Sequence, residues 1–165
     1  MYTFITESPL GTIRAAADDN AIRGLWFTGQ KYFPPGADTW IDAPDYQVFT
    51  PLDAWLKDYF AGKNPEINFP LAPEGTKFQQ TVWKILLEIP YGKTTTYGAI
   101  ANQLAPNGKK ASSQAVGGAV GHNPISLIIP CHRVLGADGS LTGYAGGLEK
   151  KRALLELEGA LSTLF

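Results

Sequence analysis

Strand-forming residues alternate weakly from Tyr2 to Thr6, fill Thr12 to Ala17 and return from Ile22 to Phe27. Ser8-Pro9-Leu10-Gly11 and Asp18-Asp19-Asn20 separate these runs, and both are rich in turn residues. The pattern predicts three short strands in an antiparallel meander, with Trp26 and Phe27 in the core. From Thr28 to Asp45, Gly29, Pro34, Pro35, Gly36 and Pro44 leave no period, which predicts a long loop. Apolar residues then recur at three and four: Phe49, Leu52, Leu56, Tyr59 and Phe60, with Trp55 beside them. That spacing is one face of a helix ending near Ala61 and stopped by Gly62. Thr50-Pro51 with Asp53 offers one start and Pro44 an earlier one. The Pro-containing stretch Lys63 to Gly75 reads as a linker. It divides a structural unit at 1–75 from a second unit at 76–165.

The second half is patterned mostly as helices. Thr76 reads as a cap, with Phe78, Val82, Ile85, Leu86 and Ile89 on the buried side. Pro90-Tyr91-Gly92-Lys93 breaks that helix, and Thr96 caps the next, which carries Tyr97, Ile100, Ala101 and Leu104 on one face. After Pro106-Asn107-Gly108, a third helix built of Ala115, Gly117, Gly118 and Ala119 runs from Ala111 or Ser112 to about Val120. Helix, short turn and small-residue helix fit a helix-turn-helix, with Lys109 and Lys110 at the entrance of its second helix. Plain helix-on-helix packing asks for the same small residues. Turn-rich Leu135 to Leu141 leads into a glycine-rich loop, Thr142 to Gly147. A last helix, Leu148 to Glu158, places Leu148, Leu154, Leu155 and Leu161 on the core, and its run Lys150-Lys151-Arg152 reads as solvated surface. The fold class is therefore α+β: an N-terminal small antiparallel sheet with a helix, then a mostly helical C-terminal domain containing the helix-turn-helix.

The chemistry concentrates in Ile128-Ile129-Pro130-Cys131-His132-Arg133-Val134, which holds the only cysteine and one of two histidines. The apolar run Ile125 to Ile129 reads as a buried strand or the core of a tight loop. Pro130 lacks an amide donor and ends either one. Cys131 thus follows a rigid buried element, and His132 or Arg133 is placed to stabilise a thiolate. Neighbours on an extended chain point to opposite faces, so a bridging water or a sharp turn is required for Cys131 and His132 to cooperate.

Composition narrows the setting. The 165 residues are 44% hydrophobic, enough for a packed core. A single cysteine forms no intrachain disulfide and suits a reducing compartment. No stretch approaches the roughly 18 apolar residues of a membrane span, so a soluble cytoplasmic protein is expected, with no membrane partner. One cysteine and two histidines are too few for a Cys-rich metal cluster, and neither metal nor cofactor is expected. The net charge of −1 hides an asymmetry: residues 1–75 carry 5 basic and 10 acidic side chains, residues 76–165 carry 9 and 5. A basic second half fits a polyanion.

Pro130-Cys131-His132-Arg133-Val134 resembles the alkyl-acceptor motif of the O6-alkylguanine-DNA alkyltransferases. Asn123-Pro124 before it fit the same pattern, as do Gly143-Tyr144-Ala145-Gly146-Gly147-Leu148, Lys151, Leu154, Leu155 and Glu158 after it. Upstream, so do Phe78, Val82-Trp83, Gly92, Tyr97 and Ala115-Val116-Gly117-Gly118. The resemblance is close over residues 76–159 and loose over 1–75. It implies a monomer that binds double-stranded DNA through the minor groove, flips out a damaged guanine and moves the O6-alkyl group irreversibly to Cys131. Methyl and larger groups, and O4-alkylthymine, fall within the implied substrates.

By the same resemblance, Glu158 orients His132, His132 draws the thiol proton through a water, and Tyr97 protonates the leaving guanine at N3. Asn123 braces the nucleophile's loop. Val134, Tyr144, Ala145, Gly146 and Lys151 line the base pocket, and the carbonyls of Cys131 and Val134 accept from the exocyclic amine. Gln114, Ala115, Gly118, Lys109, Lys110 and Arg133 meet DNA. Two positions depart from the family: Gln114 stands where an arginine holds the gap left by the flipped base, and Ala145 where serine is frequent. Two other readings of the residues remain open, a Cys-His-Glu hydrolase or acyltransferase and a non-enzymatic binder of alkylated DNA.

Overall fold

The computed structural model describes residues 1–105 and 111–161. They form two compact units, Met1–Glu74 with Pro124–Ile128, and Gly75–Asn123 with Ile129 onward.

In the first unit, β1 (Tyr2–Ser8), β2 (Gly11–Ala17) and β3 (Ile22–Phe27) make the antiparallel meander. The turn between β1 and β2 is closed by the Ser8 hydroxyl, which donates to the Gly11 carbonyl at 2.7 Å. A fourth strand, β4 (Ile41–Asp42), adds in parallel to β1, giving the order β3-β2-β1-β4. It lies inside the stretch expected to be only loop. Two residues carry too little pattern to reveal a strand, and its pairing comes from the β1 edge. Arg14 of β2 helps anchor this excursion: its guanidinium donates to the Ala37 carbonyl at 2.8 Å and lies over the Phe33 and Trp40 rings. Helix α1 (Thr50–Phe60) starts at Thr50, with Pro51 in its first turn and a 3-10 turn, Gln47–Phe49, ahead of it. Leu52, Trp55, Leu56 and Tyr59 form its buried face.

The chain returns to this unit at Pro124–Ile128. The Leu25 amide donates to the Pro124 carbonyl at 2.9 Å and the Ser126 amide to the Leu25 carbonyl at 3.0 Å, so the segment meets β3 at a single bridge. The loop reading of Ile125 to Ile129 is the one realised. Leu127 adopts φ 75°, and Ile128 N–H donates to the Ser126 carbonyl at 2.8 Å, a strained γ-turn.

In the second unit, Thr76 and Gln79 form a reciprocal capping box on α2 (Lys77–Leu87). Val82, Trp83 and Leu86 are buried, and the Trp83 indole donates to the Ala119 carbonyl at 2.8 Å. Phe78, expected on the buried side, is 36% exposed. It stands in the first turn of α2, one turn before Val82 on the same stripe, where burial has not yet begun. Thr96 caps α3 (Tyr97–Gln103), Ser112 caps α4 (Ser113–Gly121), and these two helices pack on each other. Lys109 and Lys110 lie outside the described residues. A short parallel pair, β5 (Thr95–Thr96) with β6 (Val134–Leu135), ties the start of α3 to the chain just past Cys131. Helix α5 (Leu148–Leu157) buries Leu154 and Leu155, while Leu148 is 48% exposed and Leu161 half-buried. Leu148 is the first residue of α5 and precedes the face that turns inward.

Candidate active site

Pro130 sets up the nucleophile. With φ −82° and ψ 65° it makes an inverse γ-turn, closed by Cys131 N–H on the Ile129 carbonyl at 2.8 Å. A 3-10 turn, Cys131–Arg133, follows at once. It replaces the extended geometry that would have sent adjacent side chains to opposite faces. Cys131 is a buried free thiol. Burial pushes its pKa up, against hydrogen bonding from Asn123 and the positive charge of Lys151. At neutral pH it rests as a thiol and needs a base to become a nucleophile. Asn123 donates from Nδ2 to the Ile129 carbonyl at 2.7 Å, pinning the residue that opens the γ-turn.

His132 is 0% exposed, and its Nε2 lies 2.7 Å from Glu158 Oε2. A carboxylate only accepts, so Nε2 carries the proton and Nδ1 presents the lone pair. Among the described residues Nδ1 has no hydrogen-bond partner. Burial pulls the His132 pKa down despite the opposing pull of Glu158, which leaves the ring neutral at pH 7. A neutral imidazole with an open Nδ1 is a general base.

Tyr97 stands at the first residue of α3, where β5 and β6 hold it by the Cys131 turn. Its hydroxyl is 3.3 Å from Thr142 Oγ1, while the Thr142 hydroxyl donates to the Leu141 carbonyl at 2.7 Å. The Thr142 hydroxyl is the donor to both oxygens. Burial raises the Tyr97 pKa despite that bond, which keeps the phenol protonated. The Tyr144 and His132 rings meet edge to face, with centroids 6.5 Å apart, and among the described residues the buried Tyr144 hydroxyl has no hydrogen-bond partner. Ala145 and Gly146 are half-buried in the same loop.

Lys151 is not the solvated residue its charge run suggests. It is 0% exposed, and its ammonium donates to the carbonyls of Val134 at 2.6 Å, Leu141 at 2.5 Å and Gly143 at 3.0 Å. Desolvation lowers its pKa to about 8. A signal was available: Lys151 precedes Leu154 by three, Leu155 by four and Glu158 by seven, the buried stripe of α5. The clamp binds the glycine-rich loop to the residue after the nucleophile's turn. A carbonyl oxygen has two lone pairs, and the ammonium takes one of Val134's.

Two family models match the sequence: the DNA-binding domain of 6-O-methylguanine DNA methyltransferase over residues 77–160 and its ribonuclease-like domain over residues 1–73. The chain belongs to this methyltransferase family. Among curated relatives, the methylated-DNA–protein-cysteine methyltransferase of Methanosarcina acetivorans is 46% identical over 160 residues, covering 97% of this chain and 99% of its own. That of Methanosarcina barkeri is 48% identical over 159 residues, covering 96% and 97%. The crystal structure of Mycobacterium tuberculosis OGT in complex with DNA superposes with a TM-score of 0.87 at 43% identity, covering 97% of this chain and 94% of that one.

The remaining positions that the methyltransferase resemblance assigns to DNA divide into two groups. Gln114, Ala115 and Gly118 share the exposed side of α4, opposite Val116, Ala119 and Val120. A methyl group added at Gly118 would meet nothing within 4 Å, and one at Gly117 would touch the Tyr97 ring at 3.9 Å. Helix α4 thus presents a small-residue face with its flank against the Tyr97 ring. Arg133 does not join that face. Its side chain is 11% exposed and points inward, a placement nothing in the sequence pattern distinguished from a surface one.

Proposed function

We propose that the protein repairs alkylated DNA by direct reversal, each chain accepting one alkyl group on Cys131. The observation that carries this is a buried thiol followed directly in the chain by a buried imidazole whose Nε2 lies 2.7 Å from a buried carboxylate. A flipped O6-alkylguanine enters beside Cys131. His132 Nδ1 draws the thiol proton through a bridging water, and Glu158 stabilises the imidazolium that forms. The sulfur attacks the alkyl carbon, the C–S bond forms as the carbon–O6 bond breaks, and the electron pair leaves on guanine. Tyr97 donates a proton to guanine N3. The second lone pair of the Val134 carbonyl accepts from the exocyclic amine. A thioether is not displaced by water, so the reaction stops at one event. Incubation with excess O6-methylguanine duplex should release one equivalent of repaired DNA per chain and then cease; continued turnover would mark a hydrolase instead.

The small face of α4 fits the minor groove, where readout of sequence is weak and a lesion is reached in any context. The protein acts as a monomer in the cytoplasm. Among the described residues no helix is long and apolar enough to cross a membrane.

Gln114, exposed in the first turn of α4, fills the space of the extruded base without adding charge. Gln114→Ala should slow repair of duplex DNA and leave reaction with free O6-benzylguanine unchanged, because a free base needs no flipping. Gln114→Arg should tighten duplex binding roughly fivefold at low salt and steepen its salt dependence by about one phosphate. Equal slowing on duplex and free base by Gln114→Ala would place this residue in the pocket's support rather than in the base stack.

A further inference from the structure

Arg133 is the one member of the nucleophile's turn without a part in the reaction above. It donates from Nε to Glu158 Oε1 at 2.7 Å and from a terminal nitrogen to the Ile89 carbonyl at 2.6 Å. Its guanidinium carbon lies 5.8 Å from the centre of the Tyr91 ring. The other Glu158 oxygen, Oε2, faces His132 Nε2. One buried carboxylate therefore stands between a permanent cation and a titratable ring, one oxygen to each. We propose that Arg133 is a positioning residue for alkyl transfer: it holds Glu158 by one oxygen, fixes the other on His132 Nε2, and keeps the imidazole in its neutral form with Nδ1 open to the thiol proton. The inference rests on the Cys131–His132–Glu158 relay proposed above.

The physical reason is competition for one negative charge. A buried carboxylate facing an imidazole alone favours the imidazolium, and an imidazolium has no lone pair left for a thiol proton. A fixed guanidinium on the second oxygen draws on the same charge and withdraws that support. The ring's other charged or titratable neighbours are Cys131 and Arg133 on its own turn, Glu158 and Lys151 from α5, and Tyr144 from the glycine-rich loop. Tyr91, from the connection between α2 and β5, lies beyond Arg133. Glu158 is the single carboxylate in that set. The His132 pKa is lowered by burial first, raised by Glu158, and lowered further by Arg133 and Lys151. Arginine suits the position because its planar fork reaches the carboxylate and the Ile89 carbonyl in fixed directions, whereas lysine is a point charge.

Single-turnover transfer from O6-methylguanine duplex, followed from pH 5.5 to 9 in the full chain, tests the proposal. In the parent the rate should rise with pH through the titration of the relay and level off. In Arg133→Gln that limb should move up by about one pH unit, so the rate falls roughly tenfold at the foot of the limb and recovers at high pH. Arg133→Lys, which keeps the charge, should move it less. A rate lowered by one factor at every pH would make Arg133 merely structural and overturn the proposal. So would weaker duplex binding with an unchanged rate. Nitrogen-15 NMR of the histidine-labelled parent supplies a check that needs no variant, since the chain has only two histidines. His132 should be neutral with its proton on Nε2 at pH 7, and an imidazolium there would overturn the proposal as well. A parent that transferred no alkyl group at all would instead overturn the relay itself.

Discussion

Cys131→Ala will abolish alkyl transfer and leave binding to duplex DNA within about twofold of the parent. Cys131 is the only thiol in the chain, and it sits inside the second unit rather than on the exposed face of α4. Removing it deletes the bond-forming atom without touching Gln114, Ala115 or Gly118. Cys131→Ser should be equally inactive, with a loss of at least about 10⁴-fold, comparable to deletion of a nucleophile in other covalent mechanisms. A hydroxyl is far less acidic than a thiol, and the burial that already raises the Cys131 pKa penalises an alkoxide more. Single-turnover assays beside a duplex-binding titration separate the two effects. Transfer within tenfold of the parent by either variant would mean that another residue accepts the alkyl group.

The second large effect belongs to Glu158. Glu158→Gln is expected to slow transfer by about 10²-fold or more while duplex affinity holds. The carboxylate supplies two acceptor oxygens, one for His132 Nε2 and one for Arg133 Nε. Glutamine supplies one oxygen and no charge, so either the imidazole loses the partner that fixes its tautomer or the guanidinium loses its acceptor. The charge that stabilises the developing imidazolium is lost in both cases. Breaking a buried ionic pair from one side also destabilises the fold, typically by about 3–5 kcal/mol, which a urea titration would read. The transfer rate should therefore be measured where the variant is fully folded. A rate within threefold of the parent under those conditions would contradict the role given to Glu158.

Much of this site was legible before any coordinates, because its residues sit in recurrent local patterns. Thr76 and Thr96 announced two helix starts through side chains that accept from the first turn, and Ser112, one of two expected starts, caps the third. Glu158 was reached through the family resemblance, and its position four residues after Leu154 agrees with its burial against His132. The features that escaped are set by tertiary contact. Strand β4 exists because the β1 edge offers it hydrogen bonds. Phe78 and Leu148 lie at helix ends, where a period-based reading assigns a face that the chain does not bury. Lys151 looked like one of three solvated cations, yet three carbonyls from separate positions converge on its ammonium. Arg133 was read from the residues as a cation placed to stabilise a thiolate and by the resemblance as a DNA contact; the inward turn at Cys131–Arg133 sends it to Glu158.

One alkyl group should move from guanine to Cys131 and stay there. Intact-protein mass spectrometry after incubation with excess O6-methylguanine duplex, followed by peptide mapping, will show it. The whole protein population should gain one methylene equivalent, about 14 Da, carried by the peptide containing Cys131. An unchanged mass with repaired DNA in the mixture, or a methyl group on any other residue, would contradict it.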